Sequence, residues 1–318
     1  MGEFELIRRY FAAAPCARSG PGVALGIGDD CALLAPAPGE QLAVSTDTLT
    51  AGVHFPDPCP DAHGLGQRAL AVSASDLAAM GAAPLGFTLA LTLPSVEPAW
   101  LEGLAAGLAQ MAEQCELRLV GGDTTRGPLS LTLTVFGQVP AGQALLRSGA
   151  RPGDLLCLGG APGEAGGALP FVLGQRAAED DACRHLLARY WAPQPQFDLG
   201  LWLRGRATAA QDVSDGLVAD CGHIAAASGV RLVLETARLP VSPALTALFP
   251  ADEVLRLALG AGDDYLLVFT LPPGQAPALA AAWPQAQVIG RVEAGSGVLV
   301  LAADGRPLTP IHTGFQHF

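Results

Sequence analysis

Six short motifs set aspartate beside glycine, serine or threonine: GIGDD (Asp29, Asp30), STDT (Asp47), SASD (Asp76), GGDTT (Asp123), DVSDG (Asp212, Asp215) and GAGDD (Asp263, Asp264). Taken singly, an aspartate ahead of a helix is an N-cap. Asp215, before the amphipathic LVADCGHIAAAS, is the strongest candidate for that role. Asp76 sits inside a helical pattern and Asp47 inside an apolar, β-branched strand pattern, where capping explains neither. Gathered in one place, such carboxylates would repel one another and raise each other's pKa. Divalent cations relieve that repulsion, and oxygen ligands with no His or Cys beside them select Mg2+ or Mn2+ over zinc. Mg2+ needs only one or two carboxylates plus substrate phosphates, so this many acids suit several ions with a polyphosphate.

The basic residues sharpen this reading. All eighteen are arginine, which removes a Walker A lysine, a Schiff-base lysine and the lysine of a protein-kinase strand. A phosphate here is held by arginine, by backbone N–H groups or by metal. A formal charge of −12 argues against nucleic acid. Glycines in GIGDD, GGDTT and GAGDD let backbone approach phosphate closely, although each is equally a turn. Arg147 in LLRSG and Arg126 in DTTRG are candidates for bidentate phosphate contacts, with an exposed salt bridge as the alternative for both. His54 follows the acidic strand in AGVHF, while His63, His185, His223, His312 and His317 read as structural. No G-x-S-x-G or H-E-x-x-H is present.

The elements that must place these groups follow from periodicity. Helices are expected at Phe4 to Ala14, Gly64 to Gly81 and Ala99 to Gln114, and strands at Gln41 to Thr48, FTLALTL, LRLVGGDTT and LSLTLTVFGQV. The pattern breaks at RSGARPGD, an inter-domain connection. Beyond it come DLLCLGG, a helical stretch to about Gly205, a strand into DVSDGL, a helix, and strands near Arg231, Tyr265, Gln287 and Gly297. Strict βαβ alternation is missing, so α+β is favoured over a doubly wound sheet. The uncharged run from Leu77 to Val96 is broken by Gly81, Pro84 and Gly86, and reads as helix end, turn and strand instead of a membrane span. Seven widely spaced cysteines, never in C-x-x-C, fit reduced and mostly buried thiols of a cytoplasmic protein.

GIGDDCALL, STDTLTAGVHF, SDLAAMGA, GGDTTRGPLS, RSGARPGD, DVSDGL and the closing GFQHF, in that order over nearly the whole chain, resemble the thiamine-monophosphate kinases of the aminoimidazole ribonucleotide synthetase-like superfamily. The resemblance implies a two-domain α+β fold of mixed and antiparallel sheets with helices packed on one face. Residues 1–140 would form an ATP- and Mg2+-binding domain that pairs in a homodimer, and residues 141–318 a domain completing the cleft. It implies transfer of phosphoryl from ATP to thiamine monophosphate, giving thiamine diphosphate and ADP. Carried over by motif, Asp30, Ser45, Thr46, Asp47, Asp76, Asp123, Asp212 and Asp215 would surround several Mg2+ ions. Gly122, Asp123, Arg147 and Ser214 would contact ATP, and His54, Asp263 and Phe315 would face the thiamine phosphate. The acceptor is a phosphate oxygen, already anionic, so no side-chain base is expected.

Three positions depart from the family pattern on the substrate side. Asp263 and Leu266 stand where glutamates are common, and Phe315 where Tyr or Trp is frequent. A superfamily sibling with another acceptor, a non-catalytic nucleotide- or cation-binding module, and a metal-dependent phosphohydrolase are the rival readings.

Overall fold

The structure, a computed structural model, describes residues 3–18, 20–27, 31–309 and 314. Asp29, Asp30 and Phe315 therefore lie outside the described residues. The chain divides into two compact units, one formed by Met1–Leu77 and Ala82–Gly142, the other by Ala78–Gly81 and Gln143–Phe318.

In the first unit, strand β1 (Glu40–Thr50) leads to helix α1 (Ala62–Ala79), strand β2 (Ala83–Leu93), helix α2 (Pro98–Gln114), and strands β3 (Leu119–Arg126) and β4 (Ser130–Pro140). The sheet order is β1-β4-β2-β3, antiparallel except for the β2/β3 pair. Alternation explains its two faces. Phe87, Leu89, Leu91, Leu131, Leu133 and Val135 are buried, and Leu77 of α1 packs over Gly137 on that side. The intervening Thr46, Thr48, Leu42 and Val44 stay exposed on the other face. The uncharged run at residues 77–96 thus becomes the end of α1, a turn and β2.

The expected first helix takes a different form. A short α-turn at Glu3–Leu6 continues as π turns over Ile7–Ala12. Leu6, Tyr10 and Phe11 are the buried residues of this segment.

The second unit holds a seven-stranded sheet. Its strands are β5 (Leu155–Leu158), β6 (Ala209–Asp212), β7 (Arg231–Glu235), β8 (Leu267–Leu271), β9 (Gln287–Glu293), β10 (Gly297–Leu301) and β11 (Pro307–Leu308), in the order β11-β10-β7-β9-β5-β8-β6. Only β7 and β10 run parallel. Leu156, Leu158, Val268 and Ile289 enter one core, whereas Cys157, Leu267, Phe269 and Leu271 enter another. Burial on both faces is why these strands read as apolar runs without alternation. The helix α3 (Leu217–Ser228) lies in the first of these cores through Leu217, Cys221 and Ile224. All seven cysteines are free and five are buried.

Candidate active site

Strand β1 places its acids by period two. Ser45 and Asp47 pair across the sheet with Val135 and Leu133, so they share the face covered by α1. From α1, Asp76 accepts a short hydrogen bond from the Ser45 hydroxyl. Ser73, one turn earlier, bonds Asp47. Burial, and next the negative charge of Asp76, push the Asp47 carboxyl up to about 6. Three of the predicted metal ligands are thereby brought together with oxygen donors only. A hard divalent cation such as Mg2+ fits this donor set, because it would offset the repulsion that raises Asp47.

The other predictions for this unit land elsewhere. Thr46 leaves β1 on the open face, where its hydroxyl meets that of Thr134 at 2.9 Å, so only its main chain can serve a ligand beside Asp47. Asp123 is exposed and in register with Ala90, on the row of Thr132 and Thr48, and so is not brought to the Ser45–Asp47–Asp76 cluster. Gly122, with φ 154°, lies so close to β2 that an added Cβ would sit 2.0 Å from the Leu89 carbonyl oxygen. His54 is held in the turn after β1: its Nδ1 accepts the Thr50 N–H at 3.0 Å, which leaves the ring proton of the neutral form on Nε2. Arg126 ends β3, exposed.

In the second unit, DVSDG and GAGDD run side by side. The Asp263 N–H donates to the Ser214 carbonyl and the Tyr265 N–H to the Val213 carbonyl, both at 2.8 Å. Asp212 is buried at the end of β6, in register with Leu267. Gly262 makes the approach feasible, since a Cβ there would lie 2.3 Å from the Ser214 oxygen. Asp263 and Tyr265 adopt φ of +68° and +51°, a left-handed backbone that costs a non-glycine residue about 1 kcal/mol or more each. The Tyr265 hydroxyl donates to Asp263 Oδ1 at 3.0 Å. Asp264 is buried and accepts the Gly163 N–H at 2.7 Å; burial above all drives its carboxyl up to about 8.

Asp215 is not the cap of α3. The helix starts at Leu217 after Gly216, which makes no side-chain cap. Asp220, in the first turn, reaches back instead and accepts the N–H groups of Ser214, Asp215 and Gly216 at 3.0, 3.1 and 3.1 Å. This carboxylate inside the helix ties down the turn that precedes it, the N-cap Gly216 N–H included, and Asp215 makes no cap. Asp215, Asp220 and His223 bring potential ligand atoms within 4.8 Å of one another. Burial, and then the Asp215 charge, raise Asp220 to about 6 against the opposing pull of its backbone hydrogen bonds. Arg147 is exposed and fixed through its carbonyl to Ser228 Oγ at 3.0 Å, at the far end of α3. Its neighbour Leu146 accepts the Ala210 N–H of β6 at 2.9 Å. Gly314, which precedes Phe315, packs beside Ala219 and Asp215.

Family comparisons agree with this two-unit division of acidic motifs. The "AIR synthase related protein, N-terminal domain" matches residues 28–139 and the C-terminal domain of the same name matches residues 151–301. The thiamine-monophosphate kinase of Escherichia coli K12 is 45% identical over 323 aligned residues, covering 100% of this chain and 98% of that protein. The chain belongs to the thiamine-monophosphate kinase family. Two solved members show the same fold. The thiamine-monophosphate kinase from Stenotrophomonas maltophilia K279a superposes with a TM-score of 0.84 at 45% identity, covering 91% of this chain and 93% of that one. AaThiL, complexed with AMPPCP and TMP, gives a TM-score of 0.79 at 30% identity, covering 92% of each.

Within this thiamine-monophosphate kinase fold, three side chains at the acidic clusters escaped the sequence reading. They are Ser73, Asp220 and Tyr265, each joined above to an acidic motif. Asp220 is 1% exposed, although in sequence it takes the polar position of an amphipathic helix.

Proposed function

We propose that the chain transfers the γ-phosphoryl group of ATP directly, in line, to the phosphate of thiamine monophosphate, yielding thiamine diphosphate and ADP. The reading is supported by full-length likeness to named thiamine-monophosphate kinases and by a related fold solved with AMPPCP and TMP. The structural observation that carries it is the Ser45–Asp47–Asp76 cluster, where two carboxylates lie close enough to repel, each held by a serine hydroxyl, in a chain without lysine.

Several Mg2+ ions are assigned to Asp30, Ser45, Thr46, Asp47, Asp76 and Asp123 in the first unit and to Asp212 and Asp215 in the second. When bound, they neutralise and align the phosphates of donor and acceptor. Asp47 and Asp76 supply the anionic oxygens, and Ser45 orients Asp76 through its hydroxyl. ATP is assigned to Gly122, Asp123, Arg147 and Ser214, with the Arg147 guanidinium pairing with phosphate oxygens. Thiamine monophosphate is assigned to His54, Asp263 and Phe315. No side chain acts as a base, because the attacking oxygen is already an anion.

The homodimer is assigned to the open face of the first sheet. Leu42 and Val44 are 45% and 54% exposed there, beside the Thr46–Thr134 and Thr48–Thr132 pairs. A cytoplasmic location is part of the same reading; among the described residues no helix is long and apolar enough to cross a membrane. The acceptor is tested by supplying ATP and Mg2+ with thiamine monophosphate, thiamine or an aminoimidazole ribonucleotide precursor in parallel. Thiamine diphosphate from the first alone is expected. Preferred turnover of the aminoimidazole compound would assign the chain to a sibling activity.

A further inference from the structure

Three successive main-chain N–H groups ahead of a helix form an anion nest, and at a helix N-terminus such a nest is suited to phosphate. In this chain the nest of Ser214, Asp215 and Gly216 is already filled, because all three N–H groups converge on Oδ2 of Asp220. The other oxygen, Oδ1, accepts a hydrogen bond from Gln211 Nε2 at 2.8 Å. Asp220 is 1% exposed and Gln211 3% exposed, so this arrangement sits inside the protein and is not a surface accident.

We propose that Asp220 is a positioning residue for nucleotide binding: it closes the N–H nest to phosphate and locks the turn so that the Ser214 hydroxyl and Asp215 carboxylate are the groups presented to ATP and its Mg2+. The inference rests on the assignment of Ser214 to ATP and Asp215 to Mg2+. It accounts for a carboxylate, of all groups, at the N-terminus of a helix beside a polyphosphate. An empty nest would hold a phosphate at the backbone; a filled one leaves the phosphates to side chains and metal. Asp220 acts through the backbone, its Oδ2 carrying three main-chain donors while Oδ1 is held by Gln211. Gln211 adds a further detail. Its Oε1 is buried with no hydrogen-bond partner. An asparagine at position 220 can keep its carbonyl on the three N–H groups and donate its amide to Gln211, once the Gln211 amide turns over.

The test uses the full chain and two readouts: steady-state KM for each substrate, and calorimetric affinity for AMPPCP with Mg2+. Asp220→Ala is expected to weaken AMPPCP and raise the ATP KM at least tenfold, with the thiamine monophosphate KM within twofold. Asp220→Asn is expected to restore both nucleotide values to within about threefold of wild type. Ile224→Val, on the same helix but in the core, should lower the melting temperature without moving either KM. The inference is overturned if Asp220→Ala leaves AMPPCP affinity within twofold while Asp215→Asn weakens it. It is also overturned if Asp220→Ala raises both KM values alike, or if Asp220→Asn is as damaging as Ala, the mark of a direct ligand. Should Ser214→Ala and Asp215→Asn both leave AMPPCP affinity unchanged, the assignment of the turn to nucleotide falls first and the inference with it. If Asp220→Ala does not fold, Gln211→Leu carries the test: the unrestrained carboxylate predicts at least a threefold loss of AMPPCP affinity, and no loss overturns the proposal.

Discussion

Replacing Asp47 by asparagine should make the metal-free protein more stable and the enzyme inactive. Burial and the neighbouring Asp76 move the Asp47 carboxyl from 3.8 to about 6. At about 1.36 kcal/mol per pH unit, that disfavours the ionised form by up to about 3 kcal/mol. The sign follows from linkage. Below pH 4 the carboxyl is protonated folded and unfolded, and costs nothing. Between pH 4 and 6 the folded state binds more protons, so stability falls as pH rises, and above pH 6 the whole penalty applies. Asparagine cannot ionise, and its carbonyl still accepts from Ser73. In EDTA at pH 8, Asp47→Asn should therefore melt higher than wild type, by up to roughly 6–12 °C for a unit of this size. The difference should vanish by pH 4. Added Mg2+ should raise the wild-type melting temperature and raise that of the variant much less, because binding to the folded state alone stabilises it. Calorimetric scans from pH 4 to 8, with and without Mg2+, provide the assay. A variant that melts at or below wild type in EDTA at pH 8 would refute the burial and repulsion argument. One that keeps near-normal turnover would remove Asp47 from the ligand set.

Other outcomes follow from the second unit. Tyr265→Phe removes one hydroxyl from Asp263 and should raise the thiamine monophosphate KM about fivefold, the worth of about 1 kcal/mol, with the ATP KM unchanged; equal KM values would show that the pair does not serve the substrate. Gly262→Ala forces a Cβ against the Ser214 carbonyl and should lower both melting temperature and nucleotide affinity; a variant with unchanged melting temperature and affinity would show that the two loops need no such contact. Asp264, raised to about 8, holds its proton through neutral pH, so it penalises folding increasingly from pH 4 to 8. Asp264→Asn should accordingly lose less stability than wild type between pH 6 and 9, and parallel stability curves would contradict this.

Residues that broke the local pattern were the legible ones. Asp47 in an apolar strand and Asp76 in a helix interior had no local reason to be there, and tertiary structure supplies it by setting them on facing elements. Strand alternation also carried information about Thr46, which period two separates from Ser45 and Asp47 even though the motif STDT joins them. The role of Asp220 was hidden because a polar residue in an amphipathic helix reads as a solvent position, and only the turn's backbone geometry shows it buried and capping. The same backbone accounts for Asp215, which spacing makes a cap and the reach of Asp220 does not. The left-handed residues Asp263 and Tyr265 left no mark in sequence, since neither is a glycine.

Product stoichiometry tests the central claim most directly. The purified chain is incubated with ATP and thiamine monophosphate, with Mg2+ and then with excess EDTA, and ADP, thiamine diphosphate and inorganic phosphate are quantified by chromatography. One thiamine diphosphate per ADP with Mg2+, and none in EDTA, is the predicted result. Inorganic phosphate in place of thiamine diphosphate, or undiminished turnover in EDTA, would contradict it.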